Sequence, residues 1–150
     1  MEKDQNYRRL LLRNDVKELF RISDFLELLW EEWDLPIKLM YSINLVLEEA
    51  ISNIIFYAFE DDQVHLIGLE FRRKGDELSM ILIDGGKPFD PTVKDDPDTS
   101  LSVEDRPIGG LGIYMIKQLM DKVSYERINE KNHFVMVKNL YKENPIDEQK

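Results

Sequence analysis

The run from Tyr41 to Phe59, YSINLVLEEAISNIIFYAF, constrains this chain more than any other stretch. Leu39, Ile43, Leu47, Ala50, Ile54 and Ala58 recur at steps of three and four, so on a helix they form one apolar stripe. Glu49 and Asn53 are four apart, which sets them about 40° from each other around the axis and one turn apart along it. Ser42 and Tyr57 extend that second stripe. A helix this apolar is expected to lie mostly buried. A carboxylate and a carboxamide set into it then need partners, because each unpaired buried polar group costs about 1–3 kcal/mol. Read alone, the pair is more simply a solvated helix edge.

The remaining elements can be placed around that helix. Tyr7 to Arg13 reads as a short strand. Asn14 or Asp15 caps a helix that runs to Asp34, with Glu18 closing a loose capping box on Asp15. Trp30 and Trp33 on that helix suit core packing or a subunit interface. Pro36 suits the first turn of the next helix. Glu60-Asp61-Asp62 reads as a solvated turn. Val64 to Arg73 and Glu77 to Ile83 form a hairpin across Lys74-Gly75-Asp76, and Val123 to Ile128 and His133 to Leu140 form another across 129–132. His65 and His133, the two histidines, fall in strand-like runs as half-exposed residues. Between the hairpins, Pro91 to Pro107 is polar, acidic and aperiodic, a lid-like loop. Gly109-Gly110-Leu111-Gly112 then opens a helix over Ile113 to Asp121. The order predicts an α+β fold, a two-layer α/β sandwich with a mostly antiparallel sheet and helices on one face. Residues 1–140 form one domain and 141–150 a polar tail.

Charge and residue usage narrow the chemistry. A formal net charge of −10 disfavours nucleic-acid backbones and anionic membranes, which need a cationic surface. One bound nucleotide is still allowed, since a few cations and backbone amides suffice. With no cysteine, disulfides, thiolate-zinc sites and cysteine nucleophiles are excluded. The charged start, MEKDQNYRR, leads into no apolar run of signal-peptide length, and no stretch is expected to span a bilayer, so a cytoplasmic protein is expected.

Three places could carry chemistry: Glu49 with Asn53, Asp84 with Gly86 at a strand end, and Gly109-Gly110-Leu111-Gly112 at a helix start, with Arg106 just before it. Each is weak by itself. Asp-Gly-Gly is usually a turn, and a glycine run before a helix is usually a tight connection, although helix N-termini bind phosphates well. Neither a Rossmann spacing nor a Walker A frame is present.

Taken together and in this order, Glu-x-x-x-Asn, Asp-x-Gly, a lid and Gly-x-Gly resemble the histidine-kinase-like ATPase superfamily, the GHKL or Bergerat fold, over roughly Leu10 to Leu140. Within it, the compact size, the Asp-x-Gly-x-Pro-Phe-Asp pattern and the Gly-Gly-Leu-Gly-Ile run with Leu119-Met120-Asp121 are most similar to bacterial anti-sigma-factor serine/threonine kinases. The resemblance implies ATP and Mg²⁺ as ligands. It gives Asp84 the adenine amino group, Gly86 close backbone approach to the purine, and Asn53 the metal. The amides of Gly109, Gly110, Leu111 and Gly112 would hold the phosphates, with Arg106 on the terminal phosphate and Lys87 a weaker candidate. Glu49 would be the general base. It also implies a sigma factor and a serine- or threonine-bearing antagonist protein as partners, and a homodimer through the exposed face of the first long helix.

Two departures from the family pattern stand out. Glu48 replaces a residue that is often small and polar, and 100° around the helix it is expected to point elsewhere. Tyr57 stands where many members have histidine. An ATP-gated binding module without phosphotransfer is the second reading, for which Glu49 would be unnecessary. A detached histidine-kinase catalytic domain is the third, disfavoured by the strand-like setting of both histidines.

Overall fold

The structure, a computed structural model, describes residues 5–93 and 110–142. Strand β1 (Tyr7–Arg13) is followed by helices α1 (Leu19–Glu32) and α2 (Met40–Tyr57), strands β2 (Leu66–Lys74) and β3 (Glu77–Asp84), helix α3 (Gly110–Leu119), and strands β4 (Lys122–Ile128) and β5 (Lys131–Asn139). The sheet order is β1-β2-β3-β5-β4, and all four pairings are antiparallel. Because β5 lies between β3 and β4, the chain leaves β3, passes through α3 and returns at the sheet edge. The ends of β3 and β5 are thereby brought side by side, with Asp84 opposite Asn132.

Strict alternation sets the two faces of the sheet. Leu78, Met80, Leu82 and Asp84 of β3 are buried, and their partners Lys138, Met136, Phe134 and Asn132 of β5 are buried with them. Against this face lie Ile22, Leu26, Leu29 and Trp30 of α1, Ile43, Val46, Leu47, Ala50 and Ile51 of α2, and Ile113 and Ile116 of α3. Val46 and Ile51 widen the α2 stripe beyond the residues a simple three-four count selects. The tryptophans are core residues: Trp30 is buried with its indole N–H on the Pro36 carbonyl at 2.9 Å, and Trp33 is 8% exposed. Lys138, 3% exposed, donates to the Leu119 carbonyl at 3.1 Å, which sets a cation at the C-terminal end of α3.

Several boundaries and contacts differ from the sequence reading. Asp15 does cap, accepting from the Lys17 amide at 2.9 Å, but Glu18 makes no capping box. Its carboxylate instead accepts from the Arg13 amide and guanidinium and from Arg21, because a 3-10 turn over Val16–Glu18 swings it under β1. Pro36 precedes a 3-10 turn, Ile37–Leu39, that feeds α2. The hairpin turns are both tighter than three or four residues. Gly75, at φ +60°, and Asp76 make the first, and Asn129 and Glu130, at φ +51° and +65°, make the second. The expectation that no stretch could span a bilayer is also corrected. Ile37–Tyr57 is long and apolar enough by length and composition, with mean hydropathy 1.3. In this fold it serves as the central helix, set between α1 and α3 with its buried residues in the core shared with the sheet, and with Glu48 and Glu49 half-buried.

Candidate active site

A cavity of about 280 Å³ opens between the C-terminal half of α2 and the end of β3. Asn53, Ile54, Tyr57 and Ala58 of α2 line one wall, Asp84 and Lys87 another, and Ile113, Tyr125, Asn132 and Phe134 the floor and far side. Phe89 and Tyr57, 44% and 46% exposed, form an aromatic mouth. The volume is at the lower end of ligand-binding clefts, about 300–1,000 Å³, and suits a planar ring inserted between apolar walls.

Asp84 is the buried acceptor of this cavity, 4% exposed. Its Oδ1 accepts from the Gly86 amide at 2.9 Å and from Asn132 Nδ2 at 3.1 Å. Among the described residues no bond falls on Oδ2, so that oxygen remains for a donor in the cavity. Asn132 is 5% exposed and fully engaged. Its Nδ2 also donates to the Lys87 carbonyl at 2.9 Å, and its Oδ1 accepts from the Tyr125 hydroxyl at 2.5 Å and Arg127 Nη1 at 3.0 Å. Gly86 is pressed against α2. A Cβ there would lie 2.6 Å from both the Cβ and the carbonyl oxygen of Ala58, while the Lys87 amide bonds that same carbonyl at 2.9 Å.

The α2 residues meet this cavity from the other side. Asn53 lines it, and its amide nitrogen is buried with no hydrogen-bond partner among the described residues. An orphaned carboxamide is costly unless something beyond the described residues completes it. A half-turn of the amide presents oxygen in place of nitrogen, which is what Mg²⁺ requires, so Asn53 fits a role as metal ligand. Glu49, one turn earlier and half-buried, is not a wall of the cavity. It sits against the first turn of α3: a Cβ on Gly112 would lie 2.1 Å from Glu49 Oε1 and 2.6 Å from its Cδ and Cγ. Glu48 turns away, as expected, and accepts from Asn44 at 3.3 Å on the side that faces Ser23 of α1.

Gly110, Leu111 and Gly112 form the first turn of α3 itself, three residues earlier than the helix expected from Ile113. Amides in that turn have no intrahelical partner, which is the arrangement that receives phosphate. Arg106 and Gly109 lie outside the described residues, as do most of the lid-like loop and the tail from 143. Lys87 reaches Glu60 at 3.8 Å. Within one cavity and its α3 flank the fold thus brings together Asn53, Asp84, Gly86, Glu49 and Gly112.

Sequence reading missed Tyr125, Arg127 and Asn132. The turn expected over 129–132 contains Asn132, whereas the two-residue turn Asn129-Glu130 puts it in β5 facing inward.

Strong electrostatic perturbation lies away from the cavity. Hydrogen bonds from Arg21 and Arg13 hold the Glu18 carboxyl down at about 2. Near the same end of β1, the Asp61 carboxyl is lowered by its hydrogen bond to His65, whose ring stacks on Phe59 at 4.0 Å.

Comparison with known proteins bears on this arrangement. Residues 12–138 match the family described as Histidine kinase-like ATPase domain. The chain is 30% identical over 99 residues to the serine/threonine-protein kinase BtrW of Bordetella bronchiseptica, covering 66% of this chain and 70% of that protein. It is 33% identical over 85 residues to the serine-protein kinase RsbW of Halalkalibacterium halodurans, covering 54% and 51%. It is 32% identical over 85 residues to RsbW of Bacillus subtilis, covering 54% and 53%. The chain therefore spans about half the length of the RsbW relatives it matches.

Proposed function

Because the chain belongs to the histidine kinase-like ATPase family, we propose that it is an ATP-dependent serine/threonine protein kinase of the anti-sigma-factor type, acting in the cytoplasm. The observation that carries this reading is the pairing of two groups on one cavity: buried Asp84, whose Oδ2 takes no bond among the described residues, and Asn53, whose amide nitrogen has no partner among them. An acceptor at the inner end suits the exocyclic amine of adenine and repels the O6 of guanine. The apolar walls suit the ring. Gly86 keeps the backbone close to the base, since any side chain there meets Ala58.

The triphosphate then runs toward α3, where the amides of Gly110, Leu111 and Gly112 donate to it. Gly109 and Arg106 are assigned to the same anion site on the family resemblance. Mg²⁺, when bound, offsets the charge of the phosphates, and Asn53 is the residue that would hold it. Glu49, one turn before that metal ligand, lies against the α3 turn. It is the carboxylate positioned to take the proton of a serine or threonine hydroxyl, as the hydroxyl oxygen bonds the γ-phosphorus and the bond to ADP breaks. The names of the BtrW and RsbW relatives, protein kinases acting on serine or threonine, support this transfer. An antagonist protein is the acceptor and a sigma factor the second partner. The outward face of α1, where Phe20 and Leu28 are 77% and 68% exposed, supports a protein contact there, in keeping with a homodimer.

Calorimetric titration of ATP with Mg²⁺ into the native protein and Asp84→Asn tests the reading. Loss of the charged acceptor weakens binding about 10- to 100-fold. Equal affinity in the variant refutes the adenine assignment. Glu49→Gln separates a kinase from an ATP-gated binding module: it retains ATP binding and loses transfer.

A further inference from the structure

We propose that Arg127 is the residue that sets base selectivity, as a positioning residue that acts on Asp84 through Asn132; this rests on the adenine site proposed above. Arg127 lies on the edge strand β4, beside Asn132 in the sheet register. Its Nη1 donates both to Asn132 Oδ1 at 3.0 Å and to the Gly86 carbonyl at 2.8 Å. One nitrogen thus ties the β5 carboxamide to the turn that follows β3.

The polarity of this relay matters more than its length. A carboxamide presents a donor on one side and an acceptor on the other, and can be reversed. Asn132 must keep its donor side toward Asp84 Oδ1 and the Lys87 carbonyl, both acceptors, at 3.1 and 2.9 Å. Those two acceptors set the sense of the amide, and the chemistry on its other side reinforces it. The Tyr125 hydroxyl bonds Asn132 Oδ1 at 2.5 Å, but a hydroxyl both donates and accepts, so it would follow a reversed amide. A guanidinium has no acceptor and stays charged. Arg127 is therefore the donor-only partner of Asn132 Oδ1 among the described residues, and the relay runs one way: Arg127 donates to Asn132, Asn132 donates to Asp84 Oδ1, and Oδ2 is left as an acceptor for the ligand.

Base discrimination follows from that end point. With Oδ2 held as an acceptor at a fixed place, an amine is welcomed and a carbonyl is repelled. Without Arg127 the Asn132 oxygen loses its charged donor, and the Gly86 turn, whose amide bonds Asp84 Oδ1, loses its tie to the sheet edge. The carboxylate then shifts, and the penalty against a carbonyl-bearing purine weakens. The same relay is not expected to touch the phosphate end at α3.

The test compares ATP, GTP and inorganic tripolyphosphate, each with Mg²⁺, by calorimetry on native protein, Arg127→Met and Arg127→Lys. In Arg127→Met the ratio of ATP to GTP affinity falls about tenfold, the size expected for one charge-assisted hydrogen bond partly screened by solvent. Tripolyphosphate affinity stays at the native value. Arg127→Lys, which keeps a donor-only cation, recovers part of the ratio. If Arg127→Met weakens all three ligands equally, or leaves the ratio unchanged while native protein prefers ATP, Arg127 is only structural and the inference is overturned. If native protein itself does not prefer ATP over GTP, the adenine site is overturned instead, and with it the premise of this inference.

Discussion

Replacing Gly112 with alanine probes the contact between α2 and α3 at the place where chemistry is proposed. The added Cβ would stand 2.1 Å from Glu49 Oε1 and 2.6 Å from its Cγ and Cδ. Ordinary carbon–oxygen contacts begin near 3.5 Å, so the carboxylate must retreat by about 1 Å or more. A glutamate at the helix flank can do this by changing rotamer, at a cost of about 0.5–1.5 kcal/mol. Alanine gains roughly 0.5–1 kcal/mol over glycine within a helix, so the two terms nearly cancel and folding stability changes little. Catalysis does not share that compensation. A general base contributes about 10²–10⁴-fold, and a displacement of about 1 Å forfeits about 10²-fold. Gly112→Ala is therefore expected to retain its thermal midpoint within about 3 °C, while release of labelled phosphate to water or to an acceptor protein drops at least about 10²-fold. The loss should not add to that of Glu49→Gln, because both act on one group. Transfer at the native rate in a folded Gly112→Ala protein would refute the placement of the base.

Three further outcomes follow from the same geometry. Asn53→Ala removes an orphaned buried amide, so the ligand-free protein unfolds at an unchanged or slightly higher denaturant midpoint, while the enhancement of ATP binding by Mg²⁺ is lost; a retained enhancement excludes Asn53 as a metal ligand. Gly86→Ala forces a Cβ against the Ala58 backbone carbonyl at 2.6 Å, which cannot rotate away, and is expected to cost about 1–3 kcal/mol in urea unfolding. Glu18, held at about 2 against an ordinary 4.5, stabilises the fold above the ordinary value and loses that contribution as pH falls from about 4.5 toward 2. Since its arginine partners are more than half exposed, Glu18→Gln should cost about 1 kcal/mol at pH 7 and almost nothing at pH 2, measured by denaturant unfolding at both pH values.

Hydrophobic period carried the fold. The three-four spacing of Ile43, Leu47 and Ala50 and the alternation of Leu78, Met80 and Leu82 are enforced by burial, so they are visible without coordinates. The order of Glu49, Asn53, Asp84, Gly86 and the α3 glycines is likewise readable, because the first two are polar residues set in an apolar helix and the others sit at element ends where residue type is restricted. Asn132, Tyr125 and Arg127 were not readable as a group. Their meeting depends on a hairpin turn built from Asn129 and Glu130 at positive φ, which moves the start of β5 by two residues and turns Asn132 toward Asp84. A register set by two non-glycine residues in the left-handed region leaves little trace in sequence. Glu18 misled for a related reason: its spacing from Asp15 mimics a capping box, but a 3-10 turn redirects the side chain to Arg13 and Arg21.

The most direct measurement is a crystal structure with Mg²⁺ and a non-hydrolysable ATP analogue. It should place the adenine amine on Asp84 Oδ2, the metal on Asn53, the triphosphate on the amides at the start of α3, and Glu49 facing the terminal phosphate. A nucleotide seated with its base away from Asp84, or with its phosphates remote from Gly112 and Glu49, would contradict the account.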